Sequence, residues 1–400
     1  MIPFGSDEER LTLGNYSKDL SVLVLSAQKD HAETIVKALK KLDLHTIQVM
    51  DNGIEALQTM TEQAFGFLIC DQNIRFISGW LLIKEIKTSD RIPNIPVILF
   101  GKDPQPESDE ILKRYGLIKY LHFPVQPSDL DFTIHSTLSL FNTSGTLENK
   151  YTKAKDSLLQ NRSKEAIELY SELRGLTKNS ARSSMGLAQS YLQDEQVAQA
   201  DKVIEELSKS DEDSPARSLL QARIHLQKKQ SQPAVDLLNK VLEQLPNGFY
   251  FTKSIKLLMD FQQFRLAAPL CHSAIRAGIE RPEFLLCLGK DRYNEGDMEG
   301  ALDYTQQHES AFGMTNEVYN LRGVCFKKLG DHSRAIESYE QALRLNPTDA
   351  RVYFNLAMCS IQMKRNDEAA RYLELCLQYA PAFPKAREKL DELRRRTPAA

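Results

Sequence analysis

Few residues in this 400-residue chain combine a reactive side chain with a setting that could use it. The six cysteines, Cys70, Cys271, Cys287, Cys325, Cys359 and Cys376, show no C-x-x-C spacing and read as reduced core thiols, a common role for a small buried sulfur side chain. The eight histidines are equally scattered, without an H-E-x-x-H or related ligand spacing, so no metal cluster is expected. One acid stands apart. Asp71 directly follows the apolar run Phe67-Leu68-Ile69-Cys70, so a buried strand would deliver its carboxylate at the strand's carboxyl end.

The elements that would position it alternate in type. Strand patterns fall at Leu20–Leu25, Thr46–Met50, Phe65–Cys70, Pro96–Phe100 and Tyr120–His122. Helical patterns fall between and after them, at Asp30–Leu42, Gly53–Thr61, Trp80–Lys87, Ser108–Tyr115 and Ser128–Leu140. Such alternation predicts an α/β domain over residues 19–141, a doubly wound parallel five-stranded sheet of flavodoxin-like type. Ligand chemistry in these sheets gathers at the carboxyl ends of the strands.

At those ends the domain resembles the response-regulator receiver domain. Asp71, in Ala64-Phe65-Gly66-Phe67-Leu68-Ile69-Cys70-Asp71-Gln72-Asn73, falls on the family's phosphoryl-accepting aspartate, and Gly79 on the glycine of the following loop. Pro96–Phe100 resembles the fourth strand, and Tyr120 with Pro124 the fifth strand and its cis-proline corner. Four positions depart from the family pattern. The two acids that hold Mg²⁺ after the first strand read Ser26 and Ala27, the hydroxyl after the fourth strand reads Gly101, and the lysine before the proline reads Phe123. A hard cation wants carboxylate charge, and phosphoryl transfer depends on positioning and charge neutralisation, so these losses remove most of the implied chemistry.

Two readings of Asp71 follow. In the first the receiver is degenerate, needs no cofactor, and the aspartate is a relic satisfied by solvent and nearby backbone N–H groups. In the second Asp71 still accepts a phosphoryl group with Mg²⁺ and switches the rest of the chain. Asp30, three residues beyond Ala27, is read as a cap of the first helix, and the single tryptophan, Trp80, as packing.

Beyond residue 141 the sequence repeats itself. Ala166, Ala200, Ala234, Ala268, Ala301, Ala335 and Ala369 form a ladder at intervals of 34 residues with one of 33, and the small or would-be small positions twelve residues earlier are Ala154, Ala188, Ala222, Lys256, Gly289, Gly323 and Ala357. Prolines close the third, sixth and seventh units at Pro246, Pro347 and Pro381. A fixed period in this range signals stacked helical hairpins whose helices approach only where Ala or Gly faces the neighbour. The pattern resembles the tetratricopeptide repeat, which implies an α-solenoid of seven repeats over 147–383, with an irregularity at Lys256 in the fourth. Residues 384–396, with Ala386, Leu390 and Leu393 on one stripe, read as a polar-backed capping helix.

In such repeats the first helix of each hairpin lines a concave face. Its expected partner-binding residues are Asn320, Val324, Lys327 and Lys328 in the sixth repeat and Phe354, Met358, Ile361 and Gln362 in the seventh. Their mix of apolar, amide and amine groups suits an extended peptide or a partner helix. Leu286 and Lys290 hold the places where chaperone-tail binders of the family carry their Lys/Asn pattern, so chaperone binding is not expected. Phe249-Tyr250-Phe251 reads as core filling.

The net charge of −3 argues against a nucleic-acid binder, no apolar run is long enough to span a membrane, and the start, charged at Asp7, Glu8, Glu9 and Arg10, is not expected to hold a signal-peptide core. Residues 1–18 are expected to be a disordered leader on a cytoplasmic protein. The short polar turn Asn142–Gly145 should hold the two domains in a restricted orientation. Together these features imply a bacterial signal-transduction adaptor, not an enzyme, working through protein partners at the repeat groove and at the receiver surface. The oligomeric state is left open by the sequence. An enzyme like the repeat-containing aspartyl-phosphatases would need an acid or amide projecting into a partner's acceptor site, and none is singled out.

Overall fold

The computed structural model describes residues 20–102, 118–208 and 214–396. The expected leader and the expected helix Ser108–Tyr115 lie outside the described residues. The chain divides into two compact units, residues 1–250 and 251–400.

The first unit opens with five strands, β1 (Val22–Leu25), β2 (Ile47–Met50), β3 (Phe67–Asp71), β4 (Val97–Gly101) and β5 (Ile118–His122), all parallel in the order β2-β1-β3-β4-β5. β1, β3 and β4 are apolar on both faces and wholly buried, as central parallel strands must be when helices cover both sides. One face, with Val22, Val24, Phe67, Ile69, Ile98 and Phe100, packs on α1 (Lys29–Lys41) and α4 (Pro127–Asn142). The other, with Leu23, Leu25, Leu68, Cys70, Val97 and Leu99, packs on α2 (Gly53–Glu62) and α3 (Gly79–Thr88). The register sets Asp71 beside Phe100 and Gly101 beside His122, so the carboxyl ends of β3, β4 and β5 are level.

Helices follow in pairs. The first unit holds α5 (Leu147–Leu159) with α6 (Ser163–Leu176), α7 (Ala181–Gln193) with α8 (Val197–Ser208), and α9 (Pro215–Gln227) with α10 (Ser231–Gln244). α11 (Gly248–Asp260) carries the division between the units. The second unit holds α12 (Phe264–Arg276), α13 (Pro282–Glu295) with α14 (Met298–Phe312), α15 (Asn316–Lys328) with α16 (His332–Leu345), α17 (Ala350–Gln362) with α18 (Asn366–Tyr379), and α19 (Pro384–Arg396). The fold is thus a parallel α/β domain followed by an α-solenoid of hairpins. In α19, Ala386, Leu390 and Leu393 are buried against Leu373 and Cys376 of α18.

The fourth hairpin corrects the sequence register by one residue. Every second helix buries an alanine completely at its fourth position, and in α12 that residue is Ala267, not Ala268. The corresponding first-helix residue is then Ile255, fully buried, while Lys256 is exposed and paired with Glu283 at 2.8 Å. The turns give the same register. Asn161, Glu195, Lys229, Gln262, Gly296, Gly330 and Lys364 all have φ between +57° and +86°, so the shortened interval lies before the fourth hairpin rather than after it. Gly323 shows why small residues recur: a Cβ there would stand 2.4 Å from the Tyr339 ring.

Candidate functional site

Asp71 ends β3 but is sealed, with 2% of its surface exposed. Its Oδ1 accepts the backbone N–H of Asn73 at 2.9 Å. Its Oδ2 lies 3.2 Å from the Ser26 hydroxyl, which shares its proton with the Gln28 carbonyl, and 3.1 Å from Nδ1 of His31. Because a carboxylate only accepts, Nδ1 carries the hydrogen in that contact. His31 arrives there because it lies on the same face of α1 as Ile35 and Leu39, one turn apart each, which turns it under the sheet edge. Solvent is not what satisfies Asp71. Buried donors do so: the Asn73 N–H is the backbone donor that the relic reading expected, whereas Ser26 and His31 stand where it expected solvent.

Of the four departing positions, Ser26 and Phe123 bear on the surroundings of Asp71. Ser26 bonds the acceptor, Ala27 is only half-buried and brings no donor atom in its side chain, and the Phe123 ring lies 3.7 Å from the His31 ring, centroid to centroid. Phe100 meets His31 edge-on at 6.1 Å, completing an aromatic roof. At Gly101 a Cβ would stand 2.4 Å from Cδ of Gln72, whose Oε1 accepts from the Tyr120 hydroxyl at 3.0 Å. The Phe123–Pro124 bond is cis. Trp80 is buried and stacks parallel to Tyr120. Asp30 does not cap α1: Gln28 holds the cap position, and Asp30 is an exposed acid in the first turn.

This donor set does not fit Mg²⁺. A hard cation needs several oxygen ligands, whereas Oδ2 faces an N–H and a hydroxyl. Among the described residues no group of three His, Cys, Asp or Glu side chains could hold a metal ion. Sequence reasoning missed His31 and Gln72. The spacing of His31 to Ile35 and Leu39 was the signal that could have found the first.

In the second unit the expected groove residues share a face of α15 and α17. Asn320 Oδ1 accepts from Asn355 Nδ2 at 2.9 Å, and Lys327 Nζ approaches Asn355 Oδ1 at 3.4 Å, forming a short polar ladder. Burial, first, and then Lys328 lower the Lys327 pKa, partly offset by Cys359. Lys328 and Gln362 are exposed, Val324, Met358 and Ile361 are half-buried, and Phe354 stacks on Phe383 at 5.2 Å. The ladder residue Asn355 was not among the sequence candidates.

A third cluster had no sequence counterpart. Glu148 of α5 takes Arg182 of α7 on both oxygens, at 2.6 and 3.0 Å. Arg182 also reaches Oδ1 of Asn94, in the loop after α3, at 2.7 Å, and lies 3.6 Å over the Tyr151 ring. Lys87 of α3 donates to Asn94 Oδ1 and the Ile95 carbonyl, both at 3.0 Å, with Glu148 at 3.7 Å. All three charges are buried. Burial pushes the Glu148 carboxyl up, but Arg182 and then Lys87 more than offset it and hold it down at about 2; burial first, and then the Arg182 charge, lower Lys87 to about 7 against the opposing pull of Glu148.

Comparisons with known proteins agree with this architecture. Residues 22–135 match the family model of the response regulator receiver domain, and residues 157–224, 317–349 and 338–371 match tetratricopeptide repeat models. The chain is therefore a receiver domain fused to tetratricopeptide repeats. Transcriptional regulatory protein ZraR of Klebsiella oxytoca is 26% identical over 122 residues, 30% of this chain and 27% of that protein. The peroxisomal targeting signal receptor of Saccharomyces cerevisiae is 30% identical over 92 residues, 23% of this chain and 15% of the receptor. The chain thus spans about a quarter of the length of the ZraR proteins it matches. A tetratricopeptide repeat protein from Parabacteroides merdae superposes with a TM-score of 0.50 over 62% of this chain and 98% of its own, at 13% identity, a likeness of fold alone.

Proposed function

We propose that this chain is a signalling adaptor whose receiver domain works without phosphoryl transfer at Asp71 and whose repeats hold a protein partner. The presence of a receiver with interaction repeats makes it a signalling protein; the finer reading rests on the environment of Asp71. Its Oδ2 is already engaged by Ser26 and His31 under a roof of Phe123 and Phe100, so an incoming phosphoryl group would have to displace a buried hydrogen-bond network. Among the described residues no group of three acidic, His or Cys side chains stands ready to hold the cation that would neutralise the charge it brings. The partner is a peptide or helix with carbonyl and apolar groups, matched to the Asn320–Asn355–Lys327 ladder and the flanking Val324, Met358 and Ile361. Among the described residues no helix is long and apolar enough to cross a membrane.

Incubation with Mg²⁺ and a small acyl phosphate tests the first half of the proposal. No hydroxylamine-labile adduct should form on the wild-type chain. An adduct that Asp71→Ala abolishes would instead establish the phosphorylation-competent reading. The second half is tested by affinity capture with Lys327→Glu and Asn355→Ala as controls, each of which should reduce recovery of the partner.

A further inference from the structure

The lining register shared by the repeats leads, in the first unit, to the receiver itself. Gln189 of α7 and Arg223 of α9 occupy the ninth position of their repeats, the same position as Val324 and Met358. Gln189 Nε2 donates to the Thr88 carbonyl at the end of α3, at 2.9 Å, and Arg223 pairs with Asp90 just beyond it, at 3.4 Å. Glu148 and Arg182, thirty-four residues apart at the second position, close on Lys87 and Asn94. Four residues at two register positions of three successive first helices therefore hold one short receiver segment.

We propose that the concave face of the first three repeats is a docking surface built for an internal ligand, the receiver segment Gly79–Ile95, and is closed to outside helices while that segment is seated. Two features of the sequence suit this occupant. α3 carries apolar side chains around most of its circumference, and Trp80, Leu82, Ile83 and Ile86 are all buried together with Glu85, Lys87 and Thr88. A helix standing only on its own sheet would leave one side to water. α7 is buried from Ala181 through Ser190, and its contacts with the receiver come from Arg182 and Gln189, two turns apart on one face. Charge complementarity fixes the seating: the cation of Lys87 enters beside Glu148, and the acid Asp90 meets Arg223 at the rim. The apolar cluster runs unbroken from the sheet through α3 into α5, α7 and α9. An outside ligand for this face would have to be an apolar helix bearing a lysine near its carboxyl end, and it would bind only after the receiver withdrew. None of this depends on the state of Asp71, so its failure and that of the adaptor reading are told apart.

The full chain with Asp90→Cys and Arg223→Cys tests the seating, because both side chains are more than a third exposed (40% and 36%) whereas all six native cysteines are buried. A short bismaleimide should join the introduced pair within one molecule, with a yield insensitive to dilution. A fluorescent peptide of the sequence 79–95 tests the closure. Wild-type and cross-linked chains should refuse it, while the full chain carrying Lys87→Glu and Asp90→Arg, which turns both receiver charges against Glu148 and Arg223 and leaves the repeat surface intact, should bind it roughly tenfold more tightly than wild type does. The same peptide with Lys87→Glu should lose that gain. The proposal is overturned if the cysteine pair does not cross-link within one chain, if wild type takes the peptide as well as the opened variant does, or if an opened variant with unchanged helical circular dichroism refuses it. Should the opened variant lose its helical signal, the cross-link decides the matter alone.

Discussion

Arg182→Met should be among the most damaging single substitutions in the first unit. The change preserves much of the side-chain volume but removes the hydrogen bonds to Glu148 and Asn94 and the stack over Tyr151. It strands a buried carboxylate whose remaining cation, Lys87, is 3.7 Å away. Breaking a buried pair from one side costs about 3–5 kcal/mol, most of it the uncompensated charge. Adding Glu148→Gln removes that charge, so the double variant should fall short of the summed single costs by about 1–3 kcal/mol. Trp80 is the only tryptophan and lies on α3, so its fluorescence in a urea titration follows this unit.

The pH dependence supplies a second reading of the same cluster. The Glu148 carboxyl is held at about 2 in the folded chain against 4.5 as its ordinary value, a depressed pKa. Its contribution is therefore fully present above the unfolded value and is lost as pH falls toward the folded one, about 3 kcal/mol in all and about 2 kcal/mol of that by about pH 3. Wild type should lose this stability between about pH 5.5 and about pH 3, and Arg182→Met should lose much less, since the partner that depresses the pKa has gone. A cost under about 1 kcal/mol for Arg182→Met, strict additivity with Glu148→Gln, or an unchanged acid limb in the variant would refute the account.

Other expectations are simpler. Lys87 is held down to about 7 against 10.5, so the unfolded chain binds a proton that the folded chain lacks across that window; stability measured by urea midpoint should rise by about 1 kcal/mol per pH unit there, and Lys87→Met should flatten the rise. Gly323→Ala should destabilise the second unit by about 1–3 kcal/mol in thermal unfolding, because the new methyl meets the Tyr339 ring at 2.4 Å and one of them must move. Gly330, with φ of +82° at the turn before α16, should lose about 1 kcal/mol on replacement by alanine, read by the same melt.

Much of this structure was legible in the sequence because it rests on short-range pattern. The alanine ladder records where two helices touch, and such a contact forbids larger side chains at fixed intervals. It misled only where two alanines adjoin: Ala267 and Ala268 fit the period equally well, and the backbone, not composition, chooses between them. The departures from the receiver pattern at Ser26, Ala27, Gly101 and Phe123 were also readable, but the side chains that meet Asp71 and Gly101 were not. His31 comes from a helix whose register in space is fixed by Ile35 and Leu39, and Gln72 from the backbone turn after β3. The Lys87–Glu148–Arg182 cluster joins residues far apart in the chain, and no local periodicity encodes a pairing between domains.

The sealed environment of Asp71 gives that residue a structural role that can be measured without any phosphodonor. Its carboxylate ties the end of β1 through Ser26, the first turn of α1 through His31, and the loop after β3 through the N–H of Asn73. In a solvated acidic pocket, removing an aspartate relieves repulsion and stabilises the fold. Here Asp71→Ala leaves the His31 N–H and the Asn73 N–H without their acceptor in a site from which water is excluded, at a cost of about 1–3 kcal/mol for each donor left buried and unpaired. Asp71→Asn keeps the acceptor for Asn73 but sets an amide N–H₂ or a carbonyl against Ser26 and His31, and should lie between wild type and alanine. Followed by Trp80 fluorescence in urea, the order wild type, asparagine, alanine is expected. Equal or greater stability of Asp71→Ala would mean that the carboxylate carries no structural load.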